Sequence, residues 1–212
     1  MNNSIIPGIL ENDWTEIEKK IEKILSFSRT IHVDLIDGKF VQNTTFLDPK
    51  PFTKYAKDAY FELHMMVDEP IDYLKPWAQA GFKRFLGHVE KMSDQAEFIA
   101  QGQILGEVGL AIDGPTNIDI LSSINLDDLD CLLIYTSEKV GFSGPPFMSD
   151  RLTKVKKIRE KSQIPIEVDG GINEDTILLA KDAGANRFVS TSFISGSVVP
   201  HDQFEKLQNK IV

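Results

Sequence analysis

Residues 31–40 read IHVDLIDGKF, a short run of Ile, Val and Leu with His32 and Asp34 inside it and Asp37 directly behind it. In an extended strand, side chains two residues apart share a face. His32 and Asp34 therefore point one way, while Ile31, Val33 and Leu35 point the other. A carboxylate buried without a partner is expensive, so a strand of this kind must meet compensating groups from elsewhere in the chain. The pattern recurs further along. FELHMMV (61–67) ends an apolar run with His64, and IPIEVDGG (164–171) ends one with Asp169.

Outward from these segments, short apolar runs alternate with stretches of helical period. Strands are expected at Ile5–Leu10, Thr30–Leu35, Tyr60–His64, Arg84–Gly87, Gly106–Ile112, Cys131–Thr136, Ile164–Val168 and Arg187–Ser190. WTEIEKKIEKIL places Ile17, Ile21, Ile24 and Leu25 on one helical face, and DRLTKVKKIRE does the same with Leu152, Val155 and Ile158. Further helices are expected over Ile71–Gln79, Asp94–Gln101, Asn117–Ser123, Glu174–Asp182 and Asp202–Ile211, and over the second half of Leu47–Lys57. Strand–helix alternation with no linker-like tract predicts one α/β domain over residues 1–212. The number of units favours a (β/α)8 TIM barrel. The competing open Rossmann-like sheet would place a Gly-rich turn after its first strand; PGILENDW stands there, with no GxGxxG.

Composition narrows the function. The net charge of -9, from 32 acidic against 23 basic residues, argues against nucleic acid or an anionic membrane as the main partner. No run approaches the length of a membrane span, and MNNSIIPGIL lacks the basic flank and long apolar core of a signal peptide. The one cysteine, Cys131, excludes an intrachain disulfide and suits a reducing compartment, so a cytoplasmic location is expected.

In a barrel, the strand ends form the functional rim. His32, Asp34, His64 and Asp169 would converge there as a site for one divalent metal ion. Imidazole and carboxylate donors suit Zn, Fe, Mn or Co without selecting among them. A lone strand histidine is more often a hydrogen-bonded structural residue; it is the set of four at matching rims that carries the metal reading. Asp37, in a DG turn, would brace its loop. Met66 would form an apolar wall, and His88, in GHVEK, would line the pocket. Three late segments, VGFSGPPF (140–147), DGGIN (169–173) and STSFISG (190–196), follow the last three strands. Their position suits a phosphate grip of backbone N–H groups around Gly144, Gly170, Gly171, Thr191 and Ser192.

The pieces IIPGIL, HVDLIDGKFVQNTTF, ELHMMVDEP, GHVE, GLAI, VGFSG and PIEVDGGIN, in this order from Ile5 to Gly196, resemble the ribulose-phosphate 3-epimerase family. The resemblance implies a (β/α)8 barrel, metal ligands at His32, Asp34, His64 and Asp169, and acid/base carboxylates at Asp34 and Asp169. It implies a phosphorylated ketose as substrate, epimerised at C3, most simply D-ribulose 5-phosphate to D-xylulose 5-phosphate. It also implies a homo-oligomer. Several positions depart from the family pattern. Gly8 stands where the family has a substrate-contacting serine, Ile134 at a strand-six methionine, and Thr191–Ser192 at a Gly-Ser. The sixth loop is longer, with Ser143 and Pro145 in place of Gly and Gln, and Pro145 has no N–H to offer. These departures leave open a ketohexose-phosphate epimerase, a sugar-phosphate lyase of the same fold, or a non-catalytic sugar-phosphate-binding homologue.

Overall fold

The computed structural model describes residues 2–211. Eight parallel strands follow one another around a closed barrel: β1 (Ser4–Ile9), β2 (Thr30–Ile36), β3 (Tyr60–Met66), β4 (Phe82–His88), β5 (Glu107–Ile112), β6 (Cys131–Tyr135), β7 (Ile166–Asp169) and β8 (Arg187–Ser190). Pairing of β1 with β8 closes the ring. Helices α1 (Trp14–Ile24), α2 (Ile71–Gln79), α3 (Gln95–Leu105), α4 (Leu152–Arg159), α5 (Thr176–Ala183) and α6 (Pro200–Ile211) form the outer layer.

Local sequence explains these elements. Asp13 caps α1 by accepting the Glu16 N–H, and Ile17, Ile21 and Ile24 bury the face that the sequence periodicity marks. Asp94 caps α3 through the Glu97 N–H. Two expected helices are only short 3-10 turns, at Lys50–Tyr55 and Ile118–Leu121. Pro49 and Pro51 restrict the first. In the second, between β5 and β6, Asn117 and Asn125 accept the N–H groups of Asp119 and Asp127, and these local bonds compete with a continuous helical ladder.

The strand alternation divides two environments. Ile31, Val33 and Leu35, with Phe61, Leu63 and Met65, join the large apolar layer between barrel and helices. The intervening residues of β2 and β3 (His32 and Asp34, Glu62 and His64) turn into the barrel and are also buried. A smaller interior cluster of Leu86, Ala111, Cys131, Leu133 and Tyr135 fills the opposite wall. Register then fixes the site: Asp34 pairs with His64 across β2–β3, and Tyr135 pairs with Asp169 across β6–β7.

Candidate metal and acid–base site

His32, Asp34, His64 and Asp169 come together at the C-terminal end of the barrel, all buried, with one donor atom from each lying within 4.8 Å of the others. His64 Nδ1 is 2.9 Å from Asp34 Oδ1 and 3.3 Å from Asp169 Oδ2. His32 Nε2 is 3.4 Å from Asp34 Oδ1 and 4.0 Å from Asp169 Oδ2. The two carboxylates enter from β2 and β7, three places apart on the ring of eight strands and so nearly across the barrel from each other.

The donor set fits a divalent cation. Ligand atoms about 2.0–2.2 Å from one ion lie within about 4.4 Å of each other, and the four distances above, from 2.9 to 4.0 Å, already meet that limit. His32 Nδ1 lies 2.9 Å from Glu62 Oε1, so its N–H donates there and the ring turns Nε2 toward the centre. That Nε2 is buried and has no hydrogen-bond partner among the described residues.

Electrostatics point the same way. Burial disfavours the charged His32 ring, but Asp34, Glu167 and Glu62 outweigh burial and hold its pKa well above the ordinary value. His64 is raised for the same reason, by Asp169 and Asp34. Burial raises Asp34, yet the nearby His32 ring and its bond to His64 win and draw it down to about 2. Asp169 moves upward, chiefly through burial and the nearby Asp34 charge, despite its bond to His64. The carboxylates thus favour protons on the imidazoles, and a metal ion would compete with those protons for the same nitrogens.

One cavity opens above these groups. Asp34 and Asp169 line it together with Met66, Tyr135 and Ser143, and it extends over Gly144, Gly170, Gly171, Thr191 and Ser192. Among the described residues, no Lys or Arg lines it. The glycines answer to close packing. Gly170 and Gly171 have φ of 107° and 74°, and a Cβ on them would run into the backbone of Ser137 and Phe147 respectively. Gly8 lies beside the cavity, and Thr191 Oγ1 occupies the place where a side chain at position 8 would begin. His88 does not line the cavity. It stands fully buried behind His64, with its Nε2 2.9 Å from His64 Nε2. Asp37 accepts the N–H groups of Lys39, Phe40 and Asp68, which braces the loop after β2.

Ile134 packs into the helix-side core. Tyr135 is the β6 residue that faces the cavity, and its hydroxyl donates to the carbonyls of Lys139 (3.1 Å) or Phe142 (3.4 Å). Sequence reading also passed over a second charged layer, one step nearer the N-terminal ends of the strands. There Glu62 Oε2 meets Arg84 Nη1 and Arg187 Nη2, each at 2.6 Å, while Glu167 Oε2 meets Arg187 Nε at 2.7 Å. The signal was present as a carboxylate two residues before a ligand, in Glu62-x-His64 and Glu167-x-Asp169.

The model of the Ribulose-phosphate 3 epimerase family matches residues 4–195. The chain belongs to the ribulose-phosphate 3-epimerase family. It is 32% identical to the ribulose-phosphate 3-epimerase of Schizosaccharomyces pombe, over 98% of this chain and 93% of that protein. It is 30% identical to the cytoplasmic isoform of Oryza sativa subsp. japonica, over the same shares of each. Among solved structures, 3-keto-L-gulonate-6-phosphate decarboxylase from Vibrio cholerae superposes with a TM-score of 0.74 at 14% identity, covering 99% of this chain and 97% of that one. 3-Hexulose-6-phosphate synthase from Salmonella typhimurium gives 0.73 at 15% identity, covering 98% of each. At such identities these two speak for the barrel alone. Family membership and the buried His/Asp cluster make the chain an isomerase of the epimerase type with one divalent-metal site.

Proposed function

We propose that the chain epimerises a phosphorylated ketose at C3, with D-ribulose 5-phosphate and D-xylulose 5-phosphate as the two epimers. The observation that carries this reading is the pair Asp34 and Asp169, which reach one buried centre from nearly opposite strands and open into one cavity. Inversion next to a ketone removes a proton from one face of the carbon and returns one to the other. Two carboxylates facing a planar ene-diolate can each act as base in one direction and acid in the other. Without a metal, Asp34 is held low and Asp169 raised, so of the two Asp169 is the one that more readily carries a proton. His32 and His64, with the two carboxylates, would hold the divalent cation, which when bound supplies charge to polarise the ketone and stabilise the developing oxyanion. Tyr135 and Met66 bound the cavity on its apolar side and limit the access of water to the reacting carbon.

The phosphate belongs at Gly144, Gly170, Gly171, Thr191 and Ser192. With no basic side chain in the lining, the grip consists of backbone N–H groups and hydroxyls. The same reading carries a cytoplasmic location and a homo-oligomer.

A panel of phosphorylated ketopentoses and ketohexoses, assayed for C3 inversion, tests the reaction; turnover without inversion at C3 would refute it. Asp34→Asn and Asp169→Asn should each lower kcat by at least about 10²–10⁴-fold, the usual worth of general acid–base transfer. Both residues are also ligands, so the decisive measurement is solvent deuterium exchange at C3 in metal-loaded variants, followed from each epimer. Each variant should exchange one epimer while failing to interconvert the two. Near-wild-type interconversion by either variant would rule out the two-base mechanism.

A further inference from the structure

His64 has two nitrogens with different tasks. Nδ1 faces Asp34 and Asp169, while Nε2 meets His88 Nε2 at 2.9 Å. His88 Nδ1 in turn meets Glu90 Oε2 at 2.9 Å, and the other oxygen, Glu90 Oε1, accepts the Asp113 N–H at 2.8 Å. Both rings are fully buried, so water does not compete for the contact between them. Glu90 comes from the turn just after β4, and the Asp113 amide from the end of β5.

We propose that His88 and Glu90 are positioning residues that keep the His64 proton on Nε2 and thereby leave Nδ1 open to a metal ion. One proton lies between the two facing Nε2 atoms, and only one ring can donate it. The far end of the chain decides which ring that is. An ionised carboxylate only accepts, so Glu90 takes the N–H of His88 Nδ1. The remaining nitrogen of His88 then accepts, and His64 Nε2 donates to it. The His64 lone pair is left on Nδ1, toward Asp34 and Asp169. The direction of the hydrogen-bond chain thus sets the ligand tautomer. His32 achieves the same end in one step through Glu62; His64 does so in two.

The inference rests on the metal site and is tested with zinc as the probe. Glu90→Gln reverses the chain. The amide oxygen must keep accepting the Asp113 N–H, which turns the NH₂ group toward His88 Nδ1 and makes that nitrogen an acceptor. The proton of His88 moves to Nε2, donates to His64 Nε2, and leaves the His64 proton on Nδ1, in the way of the metal. Glu90→Ala removes the bias without reversing it. Zinc affinity, measured by competition with a chromophoric chelator, should therefore fall in the order wild type, Glu90→Ala, Glu90→Gln. The full drop should be about 10–100-fold. A merely structural role predicts the opposite order, because Gln keeps the shape of Glu and Ala does not. Long-range ¹H–¹⁵N correlation spectra of the zinc-loaded wild type should place protons on His64 Nε2 and His88 Nδ1. Tighter or equal zinc binding by Glu90→Gln relative to Glu90→Ala, or a proton on His88 Nε2 in the loaded wild type, overturns the proposal while leaving the metal site standing. A folded wild type that binds no zinc overturns both.

Discussion

Two charged layers sit inside the same barrel, and they are balanced differently. In the lower one, Glu62 and Glu167 face Arg84 and Arg187, two buried carboxylates against two guanidinium groups that cannot lose their charge, with the half-exposed Glu107 on Arg84 at the edge. In the upper one, Asp34 and Asp169 face only the two imidazoles of His32 and His64. The lower layer is closed by the chain itself. The upper layer is two positive charges short whenever its histidines are neutral, and a divalent cation supplies that deficit. His32 bridges the layers, one nitrogen on Glu62 and the other in the metal site. The lesson is that buried carboxylates read as a binding site only after their protein counter-charges have been counted.

The largest expected effect tests the closed layer. Arg187→Met leaves Glu62 and Glu167 short of a shared partner, and breaking a buried pair in this way typically costs about 3–5 kcal/mol. Urea denaturation should show that loss, with partial recovery when Glu167→Gln is added. A loss below about 1 kcal/mol would mean that the lower layer is not a self-sufficient unit.

The open layer should respond to metal instead. At a free zinc concentration near 100 times Kd, linkage adds about 2.7 kcal/mol, which for a chain of this size raises Tm by roughly 5–10 °C. Asp34→Asn and Asp169→Asn should shrink that increment, while Glu107→Gln, on the outer edge of the lower layer beside Arg84, should leave it intact. An equal zinc response from all of these variants would erase the distinction between the layers.

The smallest effect concerns acid. Burial raises Glu62, but Arg187, His32 and Arg84 outweigh it and hold its carboxyl below the usual range. A depressed carboxylate contributes stability above its unfolded value, about 4.3, and that stability is lost as pH falls below it toward the folded value. In the upper layer, Asp34 and Asp169 shift in opposite directions. Glu62→Gln in the metal-free protein should therefore flatten the acid limb of stability against pH, by at most about 1.4 kcal/mol per pH unit. An unchanged slope would place the acid sensitivity elsewhere.

The barrel and the four converging side chains were legible because each rests on a local pattern: period-two alternation in the strands and a polar residue at the strand end. The lower layer was not, although its carboxylates stand two residues before the ligands. Its cations, Arg84 and Arg187, lie at strand starts and look like ordinary surface residues until the barrel closes around them. His88 was noticed, but its partner His64 comes from a neighbouring strand, so that contact depends on register. Tyr135 was displaced by one residue, and a slip of one exchanges the two faces of a strand. The helices expected over the second half of 47–57 and over 117–123 gave way to prolines in the first and to asparagine side-chain bonds in the second, neither of which periodicity weighs.

Gly8 and Thr191 carry a consequence for transplanting residues into this wall. Where the resemblance puts a serine on the first strand and a glycine on the eighth, this chain has Gly8 and Thr191, and the Thr191 hydroxyl fills the space that a side chain at position 8 would need. A serine placed at position 8 therefore meets Thr191 unless that side chain rotates away or is cut back to glycine in the same step. The two positions form one unit of substitution, and a hydroxyl on that wall comes from one strand or the other.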